Sequence, residues 1–244
     1  MRRIYYLWIG FVLALLSSCD KENSPDCFKT LGEISEVEVE LEPFYSIEVW
    51  DEVDIYLFNS NTQQVIIKAG KNIIPKINLE VKEGILIISN DNSCNWVREP
   101  GNPSILIYSN DIQHISTYDY SNFYAEDTLQ LEYLSLYSDG TGNFNLKVDI
   151  DSLLIESIYI SNFTFSGRTR FSNIIFTDDS RFMGKDLETQ YSIIEHRGSN
   201  RIEVYPIVEL TGILQSTGSI YYYYDPETLD VEVNGSGNLV NMAY

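Results

Sequence analysis

Apolar and polar residues alternate one by one along most of this chain. Val37 and Val39 are interleaved with Glu36, Glu38 and Glu40, and Val53, Ile55 and Leu57 with Asp54 and Tyr56. A period of two puts one set of side chains on a dry face and the other in water, so these runs predict β-strands. Further strands are predicted at 64–68, 77–81, 85–89 and 105–108, separated by clusters of Asn, Gly and Pro. Glu83-Gly84 between two such runs predicts a hairpin, so the amino-terminal third reads as a small sheet with reversals.

Beyond Ile112 the pattern becomes cyclic. Phe123, Phe144, Phe163, Phe182, Ile202, Ile220 and Leu239 recur at gaps of 21, 19, 19, 20, 18 and 19. Two positions before each stands a small or turn-prone residue: Ser121, Gly142, Ser161, Ser180, Asn200, Gly218 and Gly237. Short alternating pieces fill the intervals, and no helical stripe is sustained. A unit of this length cannot enclose its own core and must stack on its neighbours, as in solenoids. Strands of three to five residues, paired with the coils above and below at about 4.8 Å, would thread the seven apolar residues into an internal ladder. The small residues before them would let the chain bend. A leucine-rich repeat has a similar period but needs Leu at several fixed spacings with an Asn or Cys, which these turns lack.

The expected fold is all-β, a parallel β-helix (β-solenoid) with coils of about 19 residues. Residues 34–244 would form one domain, with 34–110 as capping strands and hairpins and 111–244 as regular coils. Only Val240 to Tyr244 follow the last coil, which leaves its edge for solvent or for pairing.

The amino terminus adds Arg2 and Arg3, an apolar run from Ile4 to Leu16, and then Ser17, Ser18 and Cys19. This is the form of a secretory signal, too short to span a membrane as a helix. Leu16-Ser17-Ser18-Cys19 is similar to a bacterial lipobox, which predicts a signal peptide at 1–18, lipidation of Cys19 and a tether over 19–33. The chain would then be attached to the membrane through its lipid anchor, on the outer membrane or cell surface rather than the inner membrane. Export also places Cys27 and Cys94 in an oxidising space, where they are expected to form a disulfide. Removing 1–18 leaves 14 basic against 36 acidic residues, a formal charge of −22. Such a surface repels nucleic acid, which is excluded as a partner.

Thr211-Gly-Ile-Leu-Gln-Ser-Thr-Gly-Ser-Ile-Tyr-Tyr-Tyr223, Asp225-Pro-Glu227 and Val231-Glu-Val-Asn-Gly-Ser-Gly-Asn-Leu239 resemble the carboxyl-terminal signature of the head GIN domain family. Phe44-Tyr-Ser-Ile-Glu-Val49 through Val53-Asp-Ile-Tyr-Leu57 resembles its opening strands, and Val81-Lys-Glu-Gly-Ile-Leu-Ile-Ile88 its middle hairpin. The family is described as auto-transporter adhesins. The resemblance spans about residues 34–240 and implies a right-handed parallel β-helix on exported bacterial proteins, often lipoproteins, without established catalytic residues.

Candidate chemistry is sparse. His114 and His196 are far apart and read as surface or turn residues, so no zinc or other metal site and no cofactor is expected. No Gly-x-Ser-x-Gly elbow is present. Asp119, Asp139, Asp149, Asp151, Asp178 and Asp179 fall at or near predicted turns, where they read as solvated residues or, stacked, as calcium or glycosidase carboxylates. Arg168, Arg170, Arg181, Lys185, Arg197 and Arg201 fall in neighbouring coils and read as a salt-bridged surface. Tyr221, Tyr222, Tyr223 and Tyr224 are the candidate binding surface, because exposed tyrosine offers rigid amphipathic contact area. Asp127-Thr128-Leu129 and Asp151-Ser152-Leu153 are similar to an O-glycosylation acceptor pattern. The expected function is a non-enzymatic, lipid-anchored envelope protein that presents a surface to an unknown protein or glycan. The alternatives are a glycan-binding or glycan-cleaving β-helix using the turn carboxylates, and a structural module pairing through its carboxyl-terminal edge.

Overall fold

The computed structural model describes residues 30–92 and 102–243. Cys19, Cys27 and Cys94, and with them the expected lipid site and disulfide, lie outside the described residues. The chain begins with β1 (Ile34–Val39), β2 (Ser46–Val49) and β3 (Val53–Phe58), and continues through β4 (Gln64–Gly70), β5 (Ile77–Lys82), β6 (Ile85–Asn90) and β7 (Ser104–Tyr108). β8 (His114–Thr117), β9 (Ser121–Tyr124) and β10 (Leu129–Ser138) lead into three long strands, β11 (Gly142–Ser157), β12 (Ser161–Phe176) and β13 (Arg181–His196). β14 (Ile202–Leu214), β15 (Ile220–Tyr222), β16 (Thr228–Val233) and β17 (Leu239–Asn241) complete a β-solenoid with a spacing of about 19 residues between coils.

The apolar recurrence is the spine of this solenoid. Parallel pairing sets Phe123 beside Phe144, Phe144 beside Phe163, Phe163 beside Phe182, and then Ile202, Ile220 and Leu239 in the same column. The first six are fully buried and only the terminal Leu239 is half-buried. The Phe123, Phe144 and Phe163 rings stack at 4.8 and 4.7 Å with interplanar angles of 0° and 13°. That separation equals the coil spacing, so one ring per coil fills the interior without a gap.

The column also runs where the sequence spacing does not reach. Ile55 pairs with Phe123, and Ile105 pairs with Ile55, so β2 and β3 form a coil in parallel register with β8 and β9. The intervening segment folds back over the far side of that coil. There β7 and β6 pair parallel with β3 and β2, β4 and β1 extend β7 antiparallel, and β5 extends β6 antiparallel. This excursion caps the amino-terminal end of the stack. At the other end β16 and β17 have no strand beyond them among the described residues, and Leu229 and Val233 on β16 are exposed.

The long strands differ from the predicted three to five residues. β11, β12 and β13 are each 16 residues long because pairing continues around one corner of the coil. Small polar residues line the inside of that bend: Thr169 and Thr189 are buried, and Ser172 Oγ donates to Ser192 Oγ at 3.2 Å. Gly167 adopts φ +106° there, and a Cβ would land on the Val148 carbonyl.

A second corner is built on hydroxyls. Ser180 Oγ donates to the Tyr159 carbonyl at 2.9 Å, accepts from the Ser161 N–H at 2.9 Å and lies 2.7 Å from Ser157 Oγ. Ser161 Oγ donates to the Gly140 carbonyl at 3.1 Å and lies 2.7 Å from Ser138 Oγ. All of these serines are buried, so turn groups that water would otherwise satisfy are satisfied from inside. At Gly142, Gly218 and Gly237 the requirement is clearance: a Cβ would meet the carbonyl of the coil below. The small residues before each rung are therefore selected by contact between coils and by internal hydrogen bonding, not by ease of bending.

His196 corrects a sequence expectation. It is fully buried at the end of β13, in a column between Phe176 and Leu214. Its Nε2 lies 2.7 Å from the Asn200 carbonyl, its ring meets Phe176 edge-on, and its Nδ1 is buried without a partner among the described residues. The neutral ring with Nε2–H satisfies this arrangement, whereas a second proton would sit in a dry interior with no acceptor. Burial lowers its pKa below the usual 6.5, opposed by the Asn200 carbonyl and the Asp179 charge. The unfolded chain therefore takes up the proton first, and stability present above pH 6.5 is lost as pH falls from there toward the folded pKa. Thermal midpoints measured below pH 6.5 are expected to fall more steeply for the native chain than for His196→Leu, which suits the column between Phe176 and Leu214. Equal slopes would remove His196 as the source.

Candidate binding surface

Strand alternation splits the predicted tyrosine cluster. Tyr222 points inward and is buried, and Tyr221 lies under the Arg201 guanidinium, 4.6 Å from its ring centroid. Tyr223 is half-buried, and Tyr224 is exposed with its ring tilted against Tyr205 at 5.4 Å. The run presents one free ring rather than a patch.

More apolar side chains are exposed along the corner built on the buried serines. Backbone bonds stack its turns in order: Trp50 N–H to Ile88, Tyr118 to Val49, Asp139 to Thr117, and Ile158 to Ser138, at 2.8 to 3.1 Å. Trp50 stacks on Tyr118 at 4.3 Å and 17°, and Tyr118 leans on Tyr137 at 5.9 Å. Between β11 and β12 the turn Ile158-Tyr159-Ile160 exposes three large apolar side chains in succession, at 36%, 48% and 44%. Trp50 and Tyr120 are exposed on earlier turns of the same corner, separated from Ile158 by the polar Asp139-Gly140-Thr141 turn. Because Ser180 holds the Tyr159 carbonyl from inside, this turn keeps its shape without polar side chains of its own. Burial, with the nearby Glu48 and Asp139 charges, raises the Tyr118 and Tyr137 phenols above their usual range, so both stay neutral. The equivalent turns read Asp139-Gly140-Thr141 and Thr177-Asp178-Asp179, and that departure from polar turns was the available sequence signal.

The turn carboxylates are engaged locally. Asp119 accepts from the Tyr120 N–H and Asp178 from the Asp179 N–H, each at 2.8 Å. Asp179 accepts from both the hydroxyl and the N–H of Ser199 at 2.6 Å, which holds its carboxyl below the usual range. Among the described residues no three His, Cys, Asp or Glu side chains are grouped to hold a metal. His114 is half-buried against the edge of Tyr133 at 5.6 Å.

Asp149 and Asp151 stand within β11 rather than in a turn, beside two depressions that cross β10 to β13 side by side. The larger, about 470 Å³, holds Asp149, Asp151, Arg168, Arg170 and Glu188. Arg168 donates to both Asp149 oxygens, Nε at 2.7 and Nη2 at 2.5 Å, and this pairing holds the Asp149 carboxyl below its usual range. A general acid needs the opposite shift. Arg170 Nη1 is 3.7 Å from Asp151 Oδ1, and its guanidinium lies 4.7 Å from the Phe171 ring centroid. The smaller depression, about 240 Å³, is walled by Tyr133, Phe171, Asn173, Tyr191 and Ile193 over Ser152. Of the other cations, Lys185 and Arg197 form exposed ion pairs with Asp186 and Glu195, and Arg201 pairs with Glu203.

A family model described as putative auto-transporter adhesin, head GIN domain, matches residues 43–226. The chain belongs to this family. The fold of this head GIN domain is shared by a putative adhesin from Bacteroides fragilis NCTC 9343, with a TM-score of 0.78 at 19% identity, covering 86% of this chain and 97% of that one. A putative lipid binding protein from Parabacteroides distasonis ATCC 8503 aligns with a TM-score of 0.61 at 15% identity, over 86% and 97% of the two chains. A putative adhesin from Parabacteroides merdae ATCC 43184 aligns with a TM-score of 0.53 at 15% identity, over 86% and 98%. Comparison with curated protein sequences gave no match.

Proposed function

We propose that this head GIN domain is a non-catalytic adhesion module of the bacterial cell envelope, exported and anchored by lipid at Cys19, that binds a protein partner through its aromatic corner. The supporting observation is the exposed Ile158-Tyr159-Ile160 turn, on the same corner as the Trp50 and Tyr118 stack. Solubility favours polar residues at an outer turn, and three successive exposed apolar side chains there mark a contact surface. Its aromatic rings are held by coil stacking, so docking orders little that is not already ordered. Glu48 beside Trp50, and Asp119 and Asp139 on the turns between Trp50 and Ile158, fit a partner that pairs an apolar recess with basic groups. The family description supports adhesion, and the ion-paired Asp149 supports the absence of acid-base catalysis.

Beads coated with residues 20–244 are expected to adhere to immobilised cell-surface and extracellular-matrix proteins. Replacing Ile158, Tyr159 and Ile160 together by Ser should reduce adherence at least about tenfold, with the thermal midpoint unchanged, while Tyr224→Ser should leave it intact. Adherence insensitive to the triple replacement, or none to any surface, rejects the corner as the contact. The anchor has its own readout: Cys19→Ser should move the protein from the membrane to the soluble envelope fraction.

A further inference from the structure

The column of outward side chains across β10 to β13 reads Tyr133, Ser152, Phe171, Tyr191. Phe171 and Tyr191 stack at 5.1 Å and 19°, as rings on adjacent coils do throughout this protein. Between Tyr133 and Phe171 the column carries Ser152, so one ring is missing from an otherwise aromatic row. Two coil spacings, about 9.6 Å, separate the flanking positions, and a single six-membered ring fits between them at stacking distance on both sides. The notch is the 240 Å³ depression itself.

Its polar groups say what kind of ring. Asn173, half-buried in the wall, brings a side-chain amide able to hydrogen-bond a ligand hydroxyl. Ser152 Oγ, on the floor, is held at 3.2 Å by Asp151 Oδ2. Along the rim the cations are already matched, Arg168 by Asp149 and Arg170 by Asp151, while Glu188 adds a further negative charge. An anionic ligand therefore meets no free positive charge on this rim among the described residues, in a chain of net charge −20. Planar, ion-paired carboxylate and guanidinium groups still offer acceptors and donors to neutral hydroxyls.

We propose that this notch binds one pyranose ring of a neutral glycan chain, stacked between Tyr133 and Phe171 above Ser152, with the adjoining charged depression taking the next sugars. The site is separate from the aromatic corner and does not depend on it.

Titration calorimetry uses residues 20–244, which include all the described strands, from a preparation whose intact mass shows no glycan at Ser152. The probes are laminarihexaose, cellohexaose and mannohexaose, with hexagalacturonate and adenosine as charged and heteroaromatic comparisons. At least one neutral hexasaccharide is expected to bind, at least about tenfold more weakly to Phe171→Ala. Binding should be lost in Ser152→Phe, which completes the column and keeps the fold, as checked by an unchanged thermal midpoint. It should survive the Ile158, Tyr159 and Ile160 replacement, which separates this site from the corner. No binding of any neutral hexasaccharide, binding indifferent to Ser152→Phe, or preference for hexagalacturonate or adenosine overturns the proposal.

Discussion

Phe163→Ala is expected to lower the unfolding free energy by about 3–5 kcal/mol, the range for truncating a fully buried phenylalanine. Phe163 has no solvent exposure, stacks on Phe144 at 4.7 Å and packs against Phe176 at 5.4 Å. Its backbone is paired with coils on both sides, so the walls cannot collapse into the space. The end of the same column supplies the comparison. Leu239 is half-buried with no strand beyond it among the described residues, and Leu239→Ala should cost about 1 kcal/mol. Denaturant titration of both variants checks the gradient, and equal losses would contradict a continuous dry interior.

Ser180→Ala should cost about 2–3 kcal/mol although it removes a single oxygen atom. That oxygen serves the Tyr159 carbonyl, the Ser161 N–H and Ser157 Oγ, in a corner where Ser157, Ser161 and Ser180 are all sealed from water. Removing one partner there leaves desolvated groups unpaired, which costs more than the hydrogen bonds contribute. Ser199→Ala is the control, since its hydroxyl meets Asp179 at an exposed turn and should change stability by less than about 0.5 kcal/mol. Amide exchange at Ser161 should quicken in Ser180→Ala. A loss no larger than that of Ser199→Ala would mean that water enters the corner.

What was legible in the sequence depended on whether partners follow one another in the chain. The rungs from Phe123 to Leu239 showed because each coil succeeds the last, so pairing in space became a period in sequence. Ile55 belongs to the same column but was hidden, because the β4 to β7 segment intervenes before β8 resumes the stack. His196 looked like a turn residue because it ends a strand, and only its neighbours Phe176 and Leu214 show that the column there points inward. The tyrosine run at 221–224 misled for the opposite reason: composition marked a patch, while strand alternation turned Tyr222 into the core.

By itself the sequence determined the solenoid, its coil length and its aromatic spine, since a short repeat with one large apolar residue per period has no other way to leave water. Tertiary structure decided the rest. The order of the first coils, the inward turn of His196, and the outer rows in which Ile158 to Ile160 protrude and Ser152 leaves a vacancy are contacts between coils. Such contacts are set by three-dimensional register, which the polarity of a single residue does not encode.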